Sequence, residues 1–329
     1  MVTIAQLATI PYLDATTLAG RFLPTLAFHD HGWRLWLPAG ERRELLIETK
    51  GVPAEACYFA RAPEASSDLH LPFLELLAQR ANYSQLQHAF GGIIDDIFNL
   101  AGSLAKFALL EQSRDRVPHG LSRMVTSEVE YVLMVVRSLF DLFQEAMMKI
   151  WDGVVLFEPR AVKHRLKTSF SDMLSYKGLS SDTEIIAQRF GLPIEIASCY
   201  ARSRQVFDRI KRLRDNIVHH GSQLPNIYGG KYSFLIAKLD NPFPDSDIWR
   251  ADEYQPNDLV PLLPVLETLV YQSFAICNDL AGALQNTIKL PPPIVPGMLF
   301  FARGYFTEHL VAAILSGARR SEAAGEPPT

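Results

Sequence analysis

The chain has 329 residues, 48% of them hydrophobic and 21% charged, with a formal net charge of −4. That length buries a substantial core in one large domain or two smaller ones, and the charge balance gives no sign of a wholesale nucleic-acid or membrane partner. Three widely separated cysteines (Cys57, Cys199, Cys277) exclude a disulfide framework and a CxxC metal pair.

The opening MVTIAQLATIPYLD has no basic leader region and is interrupted by Pro11 and Asp14, so no signal peptide is expected. No stretch reaches the roughly 18–20 uninterrupted apolar residues of a membrane span. A cytoplasmic protein without a membrane partner is the expectation. Across residues 1–78, short runs around Trp33–Leu37 and Glu44–Thr49 flank Pro38-Ala39-Gly40, a pattern that predicts a hairpin in a small, irregular, partly β region.

Residues 79–289 are expected to form a helical unit. Leu86, Phe90, Ile93, Ile94, Ile97, Ala101, Leu104 and Ala108 recur at three- and four-residue steps, which predicts an amphipathic helix to about Gln112. Pro118 and Gly120 mark a turn, Thr126 or Ser127 stands as an N-cap, and a second helix runs to about Trp151. Two shorter helices, over 160–178 and 182–190, precede a long one over 194–220 that begins after Pro193. YSFLIAKL (232–239) reads as a strand inserted before a last long helix from about Pro261 to Gln285. Residues 290–329 read as a Pro-rich linker, a short helix around Thr307–Leu315 and a disordered tail. The predicted fold class is therefore mainly α: an antiparallel helical bundle with a small, partly β N-terminal region.

The chemistry-bearing stretch is RLRDNIVHHG, residues 212–221. On a helix, Ile196, Cys199, Tyr200, Val206, Phe207, Ile210, Leu213 and Ile217 share one face, and Arg214 lies within it. A guanidinium there needs a carboxylate, a set of carbonyls or a cleft. Asp215–His219 and Asn216–His220 are i,i+4 pairs, so each polar residue can orient one imidazole. Housekeeping is the competing explanation, because a histidine in the last turn favours the negative end of the helix dipole and Gly221 suits the position beyond it. Between Arg202 and Arg214 stand six Lys/Arg (Arg202, Arg204, Arg209, Lys211, Arg212, Arg214) against Asp208, a concentration that suits a phosphate-bearing partner or makes an ordinary solvated face. On the helix predicted over 126–151, Glu130, Arg137, Asp141 and Gln144 form a narrow polar strip. That strip is either a solvent face or the source of the carboxylate, Glu130 or Asp141, that Arg214 requires.

Arg214-Asp215-Asn216-Ile217-Val218-His219 resembles the Arg-x4–6-His signature of HEPN domains, in which a polar residue follows the arginine. The resemblance covers about residues 80–287, including the order of helices around the motif. Arg214–His220 and Arg212–His219 also satisfy the spacing, and Asp215 favours Arg214 with His219. The resemblance implies metal-independent cleavage of RNA, with two motifs meeting across a homodimer, in a defence or toxin–antitoxin setting. His219 would act as general base or acid, with His220 assisting or replacing it, and Arg214 would hold the scissile phosphate. Asp215 would fix the imidazole tautomer, while Arg212, Lys211 and Asn216 would contact substrate. No cofactor or metal is called for. Two alternatives remain: a non-catalytic module binding protein or nucleic acid, and a small-molecule binder with a pocket lined by Glu130, Arg137 and Asp141.

Other motifs rank lower. His29-Asp30-His31 lacks a third and fourth ligand, Gly91-Gly92 lacks phosphate-loop spacing, and Cys199 reads as a small core residue. Neither GxSxG nor HExxH occurs.

Overall fold

Short apolar runs at both ends of the chain pair with one another, and this organises the molecule. The structure, a computed structural model, describes residues 3–40, 45–117, 119–156, 162–176, 179–180, 182–220, 226–230, 233–238 and 248–324. After a one-turn helix α1 (Ile4–Leu7) come β1 (Ala27–His29), β2 (Trp33–Ala39), β3 (Leu45–Thr49) and β4 (Ala56–Ala60). They join β10 (Leu299–Arg303) in a five-stranded sheet ordered β10-β4-β1-β2-β3. β1 runs parallel to β4 in register Phe28↔Phe59, and the other pairs are antiparallel, including Phe300↔Phe59. Alternation along the strands sends Phe28, Trp36, Phe59 and Phe300 into the main core. Ala27, Tyr58, Ala60 and Phe301 form a smaller cluster on the opposite face, with Trp33 and Leu35 packed against it.

The expected mainly α bundle is therefore corrected. The described residues are mostly helical but carry this mixed sheet and a second, three-stranded one, so the fold is mixed α and β. The physical reason lies in LFFAR, whose continuous apolar run lacks the two-residue alternation of a half-buried strand. Its partner strand β4 is also far away in sequence, at the other end of the chain, with Phe300 set opposite Phe59 and Arg303 opposite Ala56.

The helical layer contains α2 (Pro72–Gln79), α3 (Gln87–Gln112), α4 (Leu121–Gly153), α5 (Phe170–Leu174), α6 (Thr183–Phe190), α7 (Ile194–His220), α8 (Leu263–Thr287) and α9 (Thr307–Ala323). Two-residue strands β5 (Ser175–Tyr176) and β6 (Leu179–Ser180) form a small hairpin between α5 and α6. β7 (Tyr228–Gly229), β8 (Phe234–Ala237) and β9 (Leu259–Pro261) make the second sheet, which contains the strand expected in YSFLIAKL. The N-cap of α4 is Gly120, whose φ of 82° suits a residue without Cβ, nearly two turns earlier than the Thr126/Ser127 cap predicts. α9 continues to Ala323, beyond the short helix expected there, where Gly317 and Ser321 are also buried and Arg320 is bonded to Glu253. No helix among the described residues is long and apolar enough to cross a membrane.

Polar side chains pin the N-terminal segment and the Pro-rich stretch to α2. The Arg21 guanidinium donates to Asn82 Oδ1 (2.6 Å), to the Pro292 carbonyl (2.9 Å) and to the Gln79 carbonyl. The buried Gln79 amide donates to the carbonyls of Val295 (3.2 Å) and Met298 (2.8 Å) and accepts from Val295 N (3.0 Å). One hydrophobic core consequently runs from Ile10 to Ala313.

At the far end of α9, Arg320 grips Glu253 bidentately (2.7 and 2.9 Å), and Arg250 adds a second cation at 3.2 Å. Arg320 above all holds the Glu253 carboxyl down at about 2, against an ordinary 4.5. A depressed carboxyl stabilises the fold fully above its unfolded value, and that contribution disappears as pH falls through the folded one. In denaturation series from pH 6 to pH 2, wild type should begin more stable than Glu253→Gln, and the two should converge towards pH 2.

Candidate functional site

α4 and α7 run antiparallel, and aromatic and polar pairs set their register. Gln144 of α4 accepts from the buried Tyr200 hydroxyl of α7 at 2.7 Å, and its own amide donates to the Lys167 carbonyl at 2.7 Å. Burial pushes the Tyr200 phenol well above its usual value, so it remains a proton donor. Phe140 meets Phe207 edge-on at 5.5 Å, and Arg137 lies over the Phe207 ring at 4.7 Å. Each step towards the start of α4 is thus a step towards the end of α7, which brings Arg214 opposite the first half of α4.

From there a groove of about 510 Å³ runs along α4 between Met134 and Lys149, with Arg214 as the contribution of α7 to its lining. Met134, Leu142 and Met148 supply its apolar lining; Arg137, Asp141, Glu145, Lys149 and Arg214 its charges; Ser138 and Thr168 its hydroxyls. The cations already have carboxylate partners. Arg137 pairs with Asp141 one turn along α4, Lys149 with Glu145 at 2.5 Å, and Arg214 with its neighbour Asp215 at 3.0 Å. Behind the groove, the Ser138 hydroxyl donates to Asp96 of α3, whose carboxyl burial keeps above the ordinary range.

Arg214 and Asp141, expected to come together, do line one groove, although the ion pair of Arg214 described here is with Asp215. Glu130 lies outside the groove lining and has one carboxylate oxygen buried without a hydrogen-bond partner among the described residues. Gln144, assigned to the same polar strip, is buried against Tyr200. His219 stands exposed in the last turn of α7 and does not line the groove. α7 remains α-helical to His220. On an ideal helix, positions five apart differ by about 140° and about 7.5 Å along the axis, so unwinding does not bring Arg214 and His219 together within one chain. The side chains of Asn216 and His220, and the whole of Gly221, lie outside the described residues.

Most of the basic run on α7 is spent internally. Arg202 pairs with Asp279 (3.4 Å), Arg204 donates to the Leu174 carbonyl (3.4 Å) and Lys211 to Ser171 Oγ (2.9 Å). Arg209 is buried, whereas Arg212 is exposed. These cations dock α5 and α8 onto α7; Arg212 is exposed, and Arg202 and Arg214, each paired with a carboxylate, keep 51% and 34% of their side chains open to solvent.

The residues that sequence reasoning missed are Lys149, Glu145, Ser138 and Thr168. The i,i+4 charge pairs Arg137–Asp141 and Glu145–Lys149 are the available signal, because both fall on one face of a single helix. His29 packs beside Trp33 at 5.1 Å and His31 is exposed. Among the described residues, no group of three or more His, Cys, Asp or Glu could hold a metal ion.

Comparison with known proteins adds no relative: no family model, no curated protein and no solved structure matches this chain.

Proposed function

We propose that the protein binds RNA through the phosphodiester backbone, at the groove between α4 and α7. The observation that carries this reading is that two guanidiniums from different helices, Arg137 and Arg214, open on one groove whose volume of about 510 Å³ suits a bound ligand. Arginine forks match phosphate oxygens, the Met and Leu lining offers apolar area to a base, and Ser138 and Thr168 can bond to ribose. An incoming phosphate competes with Asp215 and Asp141 for these guanidiniums, so binding is moderate and strongly salt-dependent. The resemblance of the Arg214–His219 stretch to the HEPN signature supports RNA over other phosphate carriers.

A second reading, metal-independent cleavage, is favoured by the exposure of His219 at the end of α7. In that reading Arg214 of one chain and His219 of another act on the same phosphate. The 2′-oxygen bonds to phosphorus as its proton passes to His219, and the bond from phosphorus to the 5′-oxygen breaks. That oxygen leaves with a proton returned by the imidazolium or water, while Arg214 offsets the charge gathering on the phosphate oxygens.

Fluorescence anisotropy with a labelled single-stranded RNA tests the binding. Arg214→Ala should weaken it about tenfold, equivalent to about 1.4 kcal/mol, and reduce the salt slope by about one phosphate contact. Equal affinity in wild type and variant would remove the groove from the argument. For cleavage, Arg214→Ala and His219→Ala should each be inactive while their mixture regains activity. Undiminished cleavage by either variant alone would exclude the shared site.

A further inference from the structure

Four separate stretches of chain close around a cavity of about 520 Å³ where α4 ends. They are Tyr83 before α3, the last turn of α4 with the extended residues after it, the α6–α7 junction, and the end of α8 with the residues leading into the Pro-rich stretch. Trp151, Val154, Leu156, Leu192, Ile288 and Leu290 give it an apolar lining. Size and lining are those of a small-molecule site, in which an apolar body is buried and a few polar groups orient it. No residue lines both this cavity and the groove that holds Arg214. Polar groups around the cavity are mostly engaged. The Thr287 hydroxyl donates to the Ala283 carbonyl within α8 at 2.6 Å. The negative end of α4 is closed by Lys163, whose ammonium donates to the carbonyls of Trp151 (2.9 Å), Asp152 (3.0 Å) and Val154 (2.7 Å). The Asp152 carboxylate has Arg165 at 3.6 Å. Lys289 differs: it is the one charged residue in the described lining, it is exposed, and no carboxylate pairs with it among the described residues. Arg80 and Arg21 donate to the carbonyls of Pro291 (3.5 Å) and Pro292 (2.9 Å), just beyond Leu290, and add positive charge on that side.

We propose that this cavity binds one molecule of an unbranched alkyl carboxylate, a fatty acid, with its chain against the apolar lining and its carboxylate at Lys289. An alkyl chain asks for no hydrogen bonds, which suits walls whose polar groups are already satisfied; a polar ring buried here would leave its donors and acceptors without partners. The head group is anionic because the free charge at the rim is an ammonium, whereas the carbonyls and carboxylate that would hold a cation are taken by Lys163 and Arg165. Since Lys289 is exposed, the ion pair forms at the water boundary and neither charge is stripped of its hydration. Affinity therefore comes from the chain and selectivity from the head. The site is independent of RNA binding, and each reading can fail alone.

Isothermal titration calorimetry of the full chain with octanoate, decanoate and dodecanoate tests the assignment. One equivalent should bind, about tenfold more tightly for each two methylenes added. Decanol should bind about fivefold more weakly than decanoate, and decyltrimethylammonium more weakly still. Lys289→Glu, at an exposed position, should weaken decanoate by about tenfold and leave decanol unchanged. Ile288→Trp, which adds bulk to the lining, should remove the binding of both while the far-UV circular dichroism stays that of wild type. Should the bulkier variant not fold, Lys289→Glu and the choice of head group still decide the matter. Absence of saturable dodecanoate binding overturns the site. Binding of several equivalents, indifferent to both variants, overturns its location. Decanol or decyltrimethylammonium bound as tightly as decanoate overturns the anionic class of ligand.

Discussion

Replacing Asp68 by alanine should cost the fold about 3–5 kcal/mol, the range for removing one partner of a buried ion pair. The Asp68 side chain is fully buried and accepts four hydrogen bonds: Tyr58 Oη at 2.7 Å, Ala65 N at 2.7 Å, Arg303 Nε at 2.8 Å and Arg303 Nη2 at 3.4 Å. These donors come from β4, from the loop after it and from β10, so one carboxylate joins the two ends of the chain. The Arg303 guanidinium is itself fixed over the Trp33 ring at 4.9 Å and paired with Glu64. Without Asp68 it keeps Glu64, but Tyr58 and Ala65 lose their acceptor inside the protein. Asp68→Asn retains shape and one acceptor oxygen and should fall between alanine and wild type. Urea denaturation of the three proteins gives the order; a loss below about 1 kcal/mol in Asp68→Ala would mean that the sheet does not depend on this carboxylate.

The second large effect is expected at Gly191. It ends α6 in the left-handed region (φ 66°), donates to the Ala187 carbonyl, and faces the backbone of the incoming segment 162–164. A Cβ at this position would overlap the Val162 carbonyl and come within 3.3 Å of Lys163 Cα. Both obstacles are backbone, so no rotamer change relieves them. The Gly191→Ala substitution combines left-handed strain with overpacking, and about 3 kcal/mol of destabilisation is expected. The damage should spread locally. His164 N bonds to the Phe190 carbonyl and Trp151 Nε1 to the His164 carbonyl, so moving residues 162–164 loosens the end of α4. Denaturation midpoints of wild type and variant check the magnitude, and amide hydrogen exchange at the end of α4 and at His164 checks the location.

Helix content was legible because it is local. The three- and four-residue steps of Leu86–Ala108 produced α3, and Pro193 followed by Ile196, Tyr200 and Phe207 produced α7 with the bounds expected. The β2–β3 hairpin was legible in the two runs flanking Pro38-Ala39-Gly40, but the rest of the five-stranded sheet was not. β4 and β10 are each five residues long, and their pairing is a long-range event that leaves no periodic trace in either segment. The candidate site was half legible. The placement of Arg214 on a core-facing stripe announced a guanidinium in need of company, and the groove it shares with Arg137 and Asp141 is near the one anticipated. The sequence could not say which carboxylate Arg214 would take, because its pairing with the adjacent Asp215 depends on side-chain direction and not on helical spacing. Nor could a charge count foresee that Arg202, Arg204 and Lys211 are consumed in docking neighbouring elements.

The pairing of β4 with β10 also sets an order of events during synthesis. β1 and β4 leave the ribosome early, yet one flank of β4 waits for Leu299–Arg303. At about 5–20 residues per second that interval lasts on the order of tens of seconds. Asp68 has no Arg303 to meet throughout that time. Until Leu299–Arg303 arrives, that edge of β4 stays open and the N-terminal strands lack the partner that closes their sheet.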